Sequence, residues 1–189
     1  MEYIYEAHDI VPKELCQEII EKFENDPNKF KGLVGNGVLN LKLKRTTDLM
    51  IHDHIDWKPI NDILEKLLVS TLDTYFNYMI RHVFNDNGLV VRQMFSQNID
   101  VSGFQLQKYS TGDLFDWHVD DMLGRKRLLA FLIYLNDNDG CTEFLNGKVC
   151  KPETGKILFF PATWTYTHRG QKIKQGTKYV ISGFIHECI

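Results

Sequence analysis

The ten residues from Arg127 to Asn136, RLLAFLIYLN, contain the longest apolar run in the chain, and the rest is read outward from them. Leu128 to Leu135 is uninterrupted, rich in branched and aromatic side chains, and followed by the turn-forming Asp137-Asn138-Asp139-Gly140. A run of this length suits a strand covered on both faces. It falls far short of the roughly 20 residues needed to cross a bilayer.

Short strands flank it on either side. GFQLQKYS, residues 103–110, alternates, so Gln105, Gln107 and Tyr109 share one face and Phe104, Leu106 and Lys108 the other. CTEFLNGKVCK reads as a hairpin around Asn146-Gly147, and KILFFPA, TYTHRG and TKYVISGFIH are further strands. Upstream the period becomes helical. VPKELCQEIIEKFEN has Pro12 in its first turn and Leu15, Ile19, Ile20 and Phe23 on one face. WKPINDILEKLLVSTLDTYFNYMIRHVF spaces its apolar residues for one long helix or two short ones. Helices first and strands after, without βαβ alternation, point to an all-β sandwich or barrel behind helices rather than a doubly wound sheet. The expectation is one domain over residues 1–189, with mostly helical support over 1–99 and the β core over 100–189.

Composition narrows the function. A net charge of −3 argues against a broad basic surface for nucleic acid or anionic lipid, although GQKIKQGTK is locally basic. MEYIYEAHDI lacks the positive and apolar regions of a signal peptide. Cys16, Cys141, Cys150 and Cys188 show no CxxC and read as reduced thiols, so the expected setting is cytoplasmic, with no membrane. Cys141 and Cys150 are near enough to pair across their hairpin, which a reducing compartment disfavours.

Within DWHVDD, residues 116–121, His118 and Asp120 project to one side of an extended chain. A single His-x-Asp is cheap, since seven histidines and 25 acids will often produce one by chance. Its weight depends on a third ligand. His168 lies 48 residues beyond Asp120 at the end of a strand, and the intervening strands are enough to bring the chain back around a barrel. Two neutral imidazoles and one carboxylate form the facial triad of non-haem Fe(II) oxygenases. His186 reads as the surface end of an edge strand, and His52-Asp53-His54 as a polar loop before a helix. Ten residues past His168, Lys178 shares a strand face with Val180, Ser182 and Phe184, while Tyr179, Ile181, Gly183 and Ile185 make the other face apolar too. A lysine there is a buried ammonium, costly unless an anion meets it. A dicarboxylate chelating the metal at one end resolves that cost.

The ordered set KYSTGDLFDWHVD, RLLAFLIYLND, DGCTEF, PETGKILFFPA, THRG and GTKYVISGF resembles the Fe(II)/2-oxoglutarate-dependent dioxygenases, nearest to their prolyl 4-hydroxylase-like branch, over residues 100–186. The resemblance implies a double-stranded β-helix (jelly-roll) core flanked by helices. It assigns His118, Asp120 and His168 as catalytic iron ligands and Lys178 as the partner of the far carboxylate of 2-oxoglutarate. It places Tyr109, Tyr134, Thr142 and Ser182 around that co-substrate, and Arg127 and Phe184 toward the substrate. The implied cofactors are Fe(II), 2-oxoglutarate and O2, with ascorbate as an optional reductant. The implied reaction is hydroxylation of a C–H bond, of a peptidyl residue such as proline first. A free amino acid or small metabolite is the alternative substrate, and a non-catalytic jelly-roll metal-binding module the alternative class. A monomer or homodimer is expected. Two positions depart from the pattern: Asp139-Gly140 replaces a Gly-Gly turn and Phe184 replaces a tryptophan, which weakens transfer of substrate identity. Asp121 reads as a solvated bystander and Trp117 as packing beside the site, while loops 30–45 and 86–101 hold the specificity.

Overall fold

A computed structural model describes residues 3–35, 37–84, 99–121 and 127–187. Its elements run β1 (Tyr5–Ala7), α1 (Lys13–Asn25), β2 (Phe30–Lys31), β3 (Thr47–Met50), α2 (Lys58–His82), β4 (Ile99–Val101), β5 (Gln105–Tyr109), β6 (Phe115–His118), β7 (Arg127–Tyr134), β8 (Thr142–Phe144), β9 (Val149–Cys150), β10 (Ile157–Pro161), β11 (His168–Gly170) and β12 (Lys178–Glu187). Short 3-10 turns at Ile51–Asp53, Ile55–Trp57 and Trp164–Tyr166 join them.

The strands form two antiparallel sheets. The major sheet is ordered β1-β10-β7-β12-β5-β3-β2, with β4 also on β12, and the minor sheet β6-β11-β8-β9. This is the mainly β, helix-flanked jelly roll expected. Strand alternation sorts the core into two layers. On β7 and β10, Leu129, Phe131, Ile133, Ile157 and Phe159 pack with the helices. Ala130, Tyr134, Leu158 and Phe160 pack instead with Phe144 and Val180, toward the minor sheet. Both faces of β7 are therefore covered, which is why its sequence runs apolar without a break.

The two long helical patterns form α1 and a single α2. Pro59 sits in the first turn of α2, where its missing N–H costs nothing. Ile60, Leu64, Leu68, Leu72, Tyr75 and Met79 make the buried stripe of α2, and each contributes about 1.5–3 kcal/mol when taken from water. The two helices are tied where the Trp57 indole donates to Asp26 Oδ2 at 2.7 Å. On α1 the buried face is Cys16, Ile19 and Phe23. Leu15 and Ile20, expected beside them, are only half-buried, because the face turns toward Cys16.

Several expectations need correction. The first 99 residues are not only helical support, since β1 pairs with β10 and β3 with β5 inside the major sheet. Loop 30–45 contains β2 and the Val34–Val38 and Lys44–Phe115 bridges. Of loop 86–101, residues 99–101 are β4 and residues 86–98 lie outside those described, as does Cys188. The strand of THRG begins at His168 rather than ending there, because Trp164–Tyr166 turns. β12 is interior, bonded to β7 on one side and to β5 and β4 on the other, so His186 ends no edge strand and is half-buried. The hairpin around Asn146-Gly147 forms as read, with Gly147 at φ 91°. Cys16, Cys141 and Cys150 are free thiols.

Candidate metal centre and co-substrate pocket

Between the sheets opens a cavity of about 550 Å³ lined by residues of both. On its minor-sheet wall, β6 and β11 pair with His118 directly opposite His168. Asp120 follows two residues after β6, so the three side chains meet. His118 Nε2 lies 3.6 Å from Asp120 Oδ1, and His168 Nε2 3.6 Å from Asp120 Oδ2. One donor atom from each residue falls within 4.8 Å of the others, the one such group of His, Cys, Asp or Glu found among the described residues. Bonds of about 2.1 Å hold an ion's ligands no more than about 4.2 Å apart, so the three atoms need contract only slightly to bind one ion.

Both imidazoles are aimed by backbone carbonyls. His118 Nδ1 lies 2.8 Å from Asp116 O, and His168 Nδ1 3.1 Å from Tyr166 O. With Nδ1–H donating there, each Nε2 lone pair faces Asp120, as a metal ligand requires. Burial, then the neighbouring His168, pushes the His118 pKa down to about 4, so no proton has to leave before a metal binds at neutral pH. The donor set, its tautomers and its spacing fit Fe(II).

A register irregularity lies beside this site. His168 opposes His118 but Gly170 opposes Phe115, so β6 carries one extra residue. In a regular strand Phe115 and His118 would face opposite ways. The bulge brings them to one side, and their rings stack at 3.6 Å and 8°. Sequence reading missed Phe115 for this reason.

The major sheet supplies the opposite wall. Lys178, Val180, Ser182 and Phe184 line the cavity from β12, with Gln105, Gln107 and Tyr109 from β5. Lys178 is 3% exposed and donates to Gly140 O at 2.8 Å. Its ammonium lies 5.2 Å from the Tyr109 ring and 5.6 Å from the Tyr134 ring. No carboxylate among the described residues pairs with it, and burial pushes its pKa down to about 8. Tyr109 OH donates to Gln107 Oε1 at 2.9 Å, whose Nε2 donates to Ser182 Oγ at 3.0 Å. Burial raises the Tyr109 pKa, so the phenol stays protonated as a donor.

Thr142 also lines the cavity. Tyr134 does not: it is fully buried behind the wall, with its hydroxyl 2.7 Å from Thr142 Oγ1, and it acts on the pocket through Thr142 and Lys178. Arg127 lines the mouth, stacks 3.6 Å over the Phe184 ring and donates to the Asp120 carbonyl at 2.6 Å. Asp121 is exposed. The structure adds a buried pair at the far end, where Lys44 Nζ meets Asp48 Oδ2 at 2.8 Å and Gln105 donates to the same oxygen at 2.9 Å. Only long-range pairing of β3 with β5 creates that cluster, so no local pattern marks it.

Residues 104–186 match the family model described as the 2OG-Fe(II) oxygenase superfamily. That match and the jelly roll around it support a 2-oxoglutarate-dependent dioxygenase, for which Fe(II), 2-oxoglutarate and O2 are the implied cofactors. The fold recurs in a viral collagen prolyl hydroxylase, vCPH, from Paramecium Bursaria Chlorella virus-1, solved as a 2OG complex. There identity is 16%, coverage 100% of this chain and 97% of that chain, and the TM-score 0.69. It recurs in a prolyl hydroxylase from Trichoplax adhaerens, in complex with a hypoxia inducible factor oxygen degradation domain peptide fragment, at 14% identity, 97% and 83% coverage and TM-score 0.73. A Pseudomonas putida prolyl-4-hydroxylase gives 11% identity, 99% and 94% coverage and TM-score 0.70. A search of curated protein sequences gives no significant match.

Proposed function

We propose that the chain hydroxylates a peptidyl residue, proline first, with His118, Asp120 and His168 holding the iron and Lys178 holding 2-oxoglutarate. The observation that carries this reading is the pairing of two opposed features in one cavity. A convergent two-histidine, one-carboxylate set lies on the minor-sheet wall, and a buried cation without a carboxylate partner among the described residues lies on the other. When bound, Fe(II) with 2-oxoglutarate and O2 supplies oxidation of a C–H bond to an alcohol, coupled to decarboxylation of the 2-oxo acid to succinate. The protein's part is position and exclusion of water. Lys178 fixes the far carboxylate by a charge-assisted hydrogen bond, and Tyr109, held by Gln107 and Ser182, frames the same end. Phe115 stacked on His118 keeps solvent from one side of that ligand.

A peptide suits the mouth better than a small metabolite. Leu33 and Val34 line the cavity, and in the segment that includes them Leu33, Val38, Leu39 and Leu41 are 40%, 58%, 52% and 52% exposed. Exposed apolar side chains in a segment that lines the cavity suit a chain passing over the pocket rather than a molecule enclosed by it. The peptide complex of the Trichoplax relative supports the same substrate class. Incubation with Fe(II), 2-oxoglutarate and a panel of proline-containing peptides tests it. Succinate release together with the mass of one added oxygen on a prolyl residue is expected. Succinate release stimulated by a free amino acid, with every peptide unmodified, contradicts the peptide reading.

A further inference from the structure

A polar staple crosses three strands of the minor sheet, from Glu143 and Arg169 on the face away from the cavity to Trp117, which also lines the cavity. Arg169 on β11 stands opposite Glu143 on β8, and alternation puts both on the side away from His168, Thr142 and Phe144. Arg169 Nε donates to Glu143 Oε2 at 2.8 Å and its Nη2 lies 2.7 Å from the same oxygen, which also accepts from Gln171 Nε2 at 2.7 Å. On the other flank the Arg169 guanidinium carbon lies 4.7 Å from the centre of the Trp117 ring, a cation–π contact. The staple thus runs β6–β11–β8, and the inner residues of those strands include His118, His168 and Thr142.

Trp117 is part of the extra length of β6. Its N–H donates to Asp116 Oδ1 at 2.8 Å, and Asp116 N–H donates to Leu43 O at 2.8 Å. The Asp116 carbonyl is the group that aims His118 Nδ1. β6 is also the edge strand of its sheet, with one strand neighbour there to hold it. On its other side the bulge is held by residues 43–45, through the Lys44–Phe115 bridge and the bonds from Asp116 N–H to Leu43 O and from Arg45 N–H to Leu114 O, and the bulge sets the direction of a ligand.

We infer that Trp117, Arg169 and Glu143 are positioning residues that clamp the β6 bulge against β11 and so hold His118 at the metal point. The inference rests on the metal reading above and adds three residues outside the ligand set, of which Trp117 also lines the cavity.

Binding of Co(II), whose visible absorption reports its ligand set, tests the clamp in the intact chain without turnover. Wild type is expected to take up one ion. Arg169→Ala is expected to weaken uptake by roughly tenfold or more and to alter the spectrum, as loss of ligand-orienting partners does. Arg169→Lys, which keeps a cation for the Trp117 ring and Glu143, is expected to restore most of the affinity. Unchanged affinity and spectrum in folded Arg169→Ala, with only a lower unfolding temperature, overturn the proposal. If Arg169→Ala does not fold, Glu143→Gln carries the same expectation at smaller size, and unchanged affinity there overturns it equally. A wild type that binds no Co(II) contradicts the metal reading itself. A wild type that binds, with variants that bind as well, contradicts the clamp alone.

Discussion

Lys178 carries the clearest conflict between stability and function. Its ordinary pKa of 10.5 falls to about 8 because burial disfavours the charged form. That difference is worth about 3 kcal/mol at neutral pH, and the hydrogen bond to Gly140 offsets about 1 kcal/mol of it. Lys178→Met is expected to raise apoprotein stability by about 1–2 kcal/mol in denaturant unfolding while abolishing 2-oxoglutarate binding. A destabilised variant would show that the lysine has an anionic partner within the protein. The pH dependence follows with a definite sign. Between pH 8 and 10.5 the unfolded chain keeps a proton that the folded protein has released, so this group's penalty on stability fades as pH rises through that window. In the role proposed for Lys178, co-substrate binding needs the charged form. Calorimetric affinity for 2-oxoglutarate is therefore expected to be flat below about pH 8 and to fall up to tenfold per unit above it. Flat affinity across pH 8 would place the anion elsewhere. His118, Asp120, His168 and Lys178 were legible because their chemistry is rare at that spacing. Phe115 was not, since a bulge reverses its face. Lys44 and Asp48 were not, since only the fold makes them buried neighbours of Gln105.

At the scale of elements, β12 organises the pocket. It pairs with β7, β5 and β4, presents Lys178, Ser182 and Phe184 to the cavity, and keeps Ile181 and Ile185 in the helix-side core. Gly183 in its middle has no room for a side chain. A Cβ there would collide with Phe131 and lie 2.6 Å from the Gly103 carbonyl. Gly183→Ala is expected to cost about 1–3 kcal/mol in unfolding and to reduce 2-oxoglutarate affinity by displacing the strand. Stability equal to wild type would show that β12 shifts freely. The long elements could be read from sequence because each repeats its pattern over several turns or residues. β1, β2 and β3 have three, two and four residues, and their partners lie far along the chain, so their sequences show no period. The start of β11 was misplaced because TYT resembles a strand, whereas Trp164–Tyr166 closes a turn whose Tyr166 carbonyl aims His168.

The whole molecule is three layers: helices, major sheet, minor sheet. The outer pair is joined by an apolar core. The inner pair leaves a cavity between its halves, with His118, Asp120 and His168 on one wall and the Lys178 ammonium on the other. The layering was readable from helices preceding strands and from the two-sided apolar run of β7, whereas the entry of the N-terminal strands into the major sheet was not. The account stands on those two walls acting on one ligand. The most direct measurement is an anaerobic crystal structure with Mn(II), in place of Fe(II), and 2-oxoglutarate. The account predicts one ion bound by His118 Nε2, Asp120 and His168 Nε2, with the far carboxylate of 2-oxoglutarate in ion-pair contact with Lys178 Nζ. An ion bound elsewhere, or a far carboxylate held by Arg127 or Lys44 while Lys178 stays on Gly140, would contradict it.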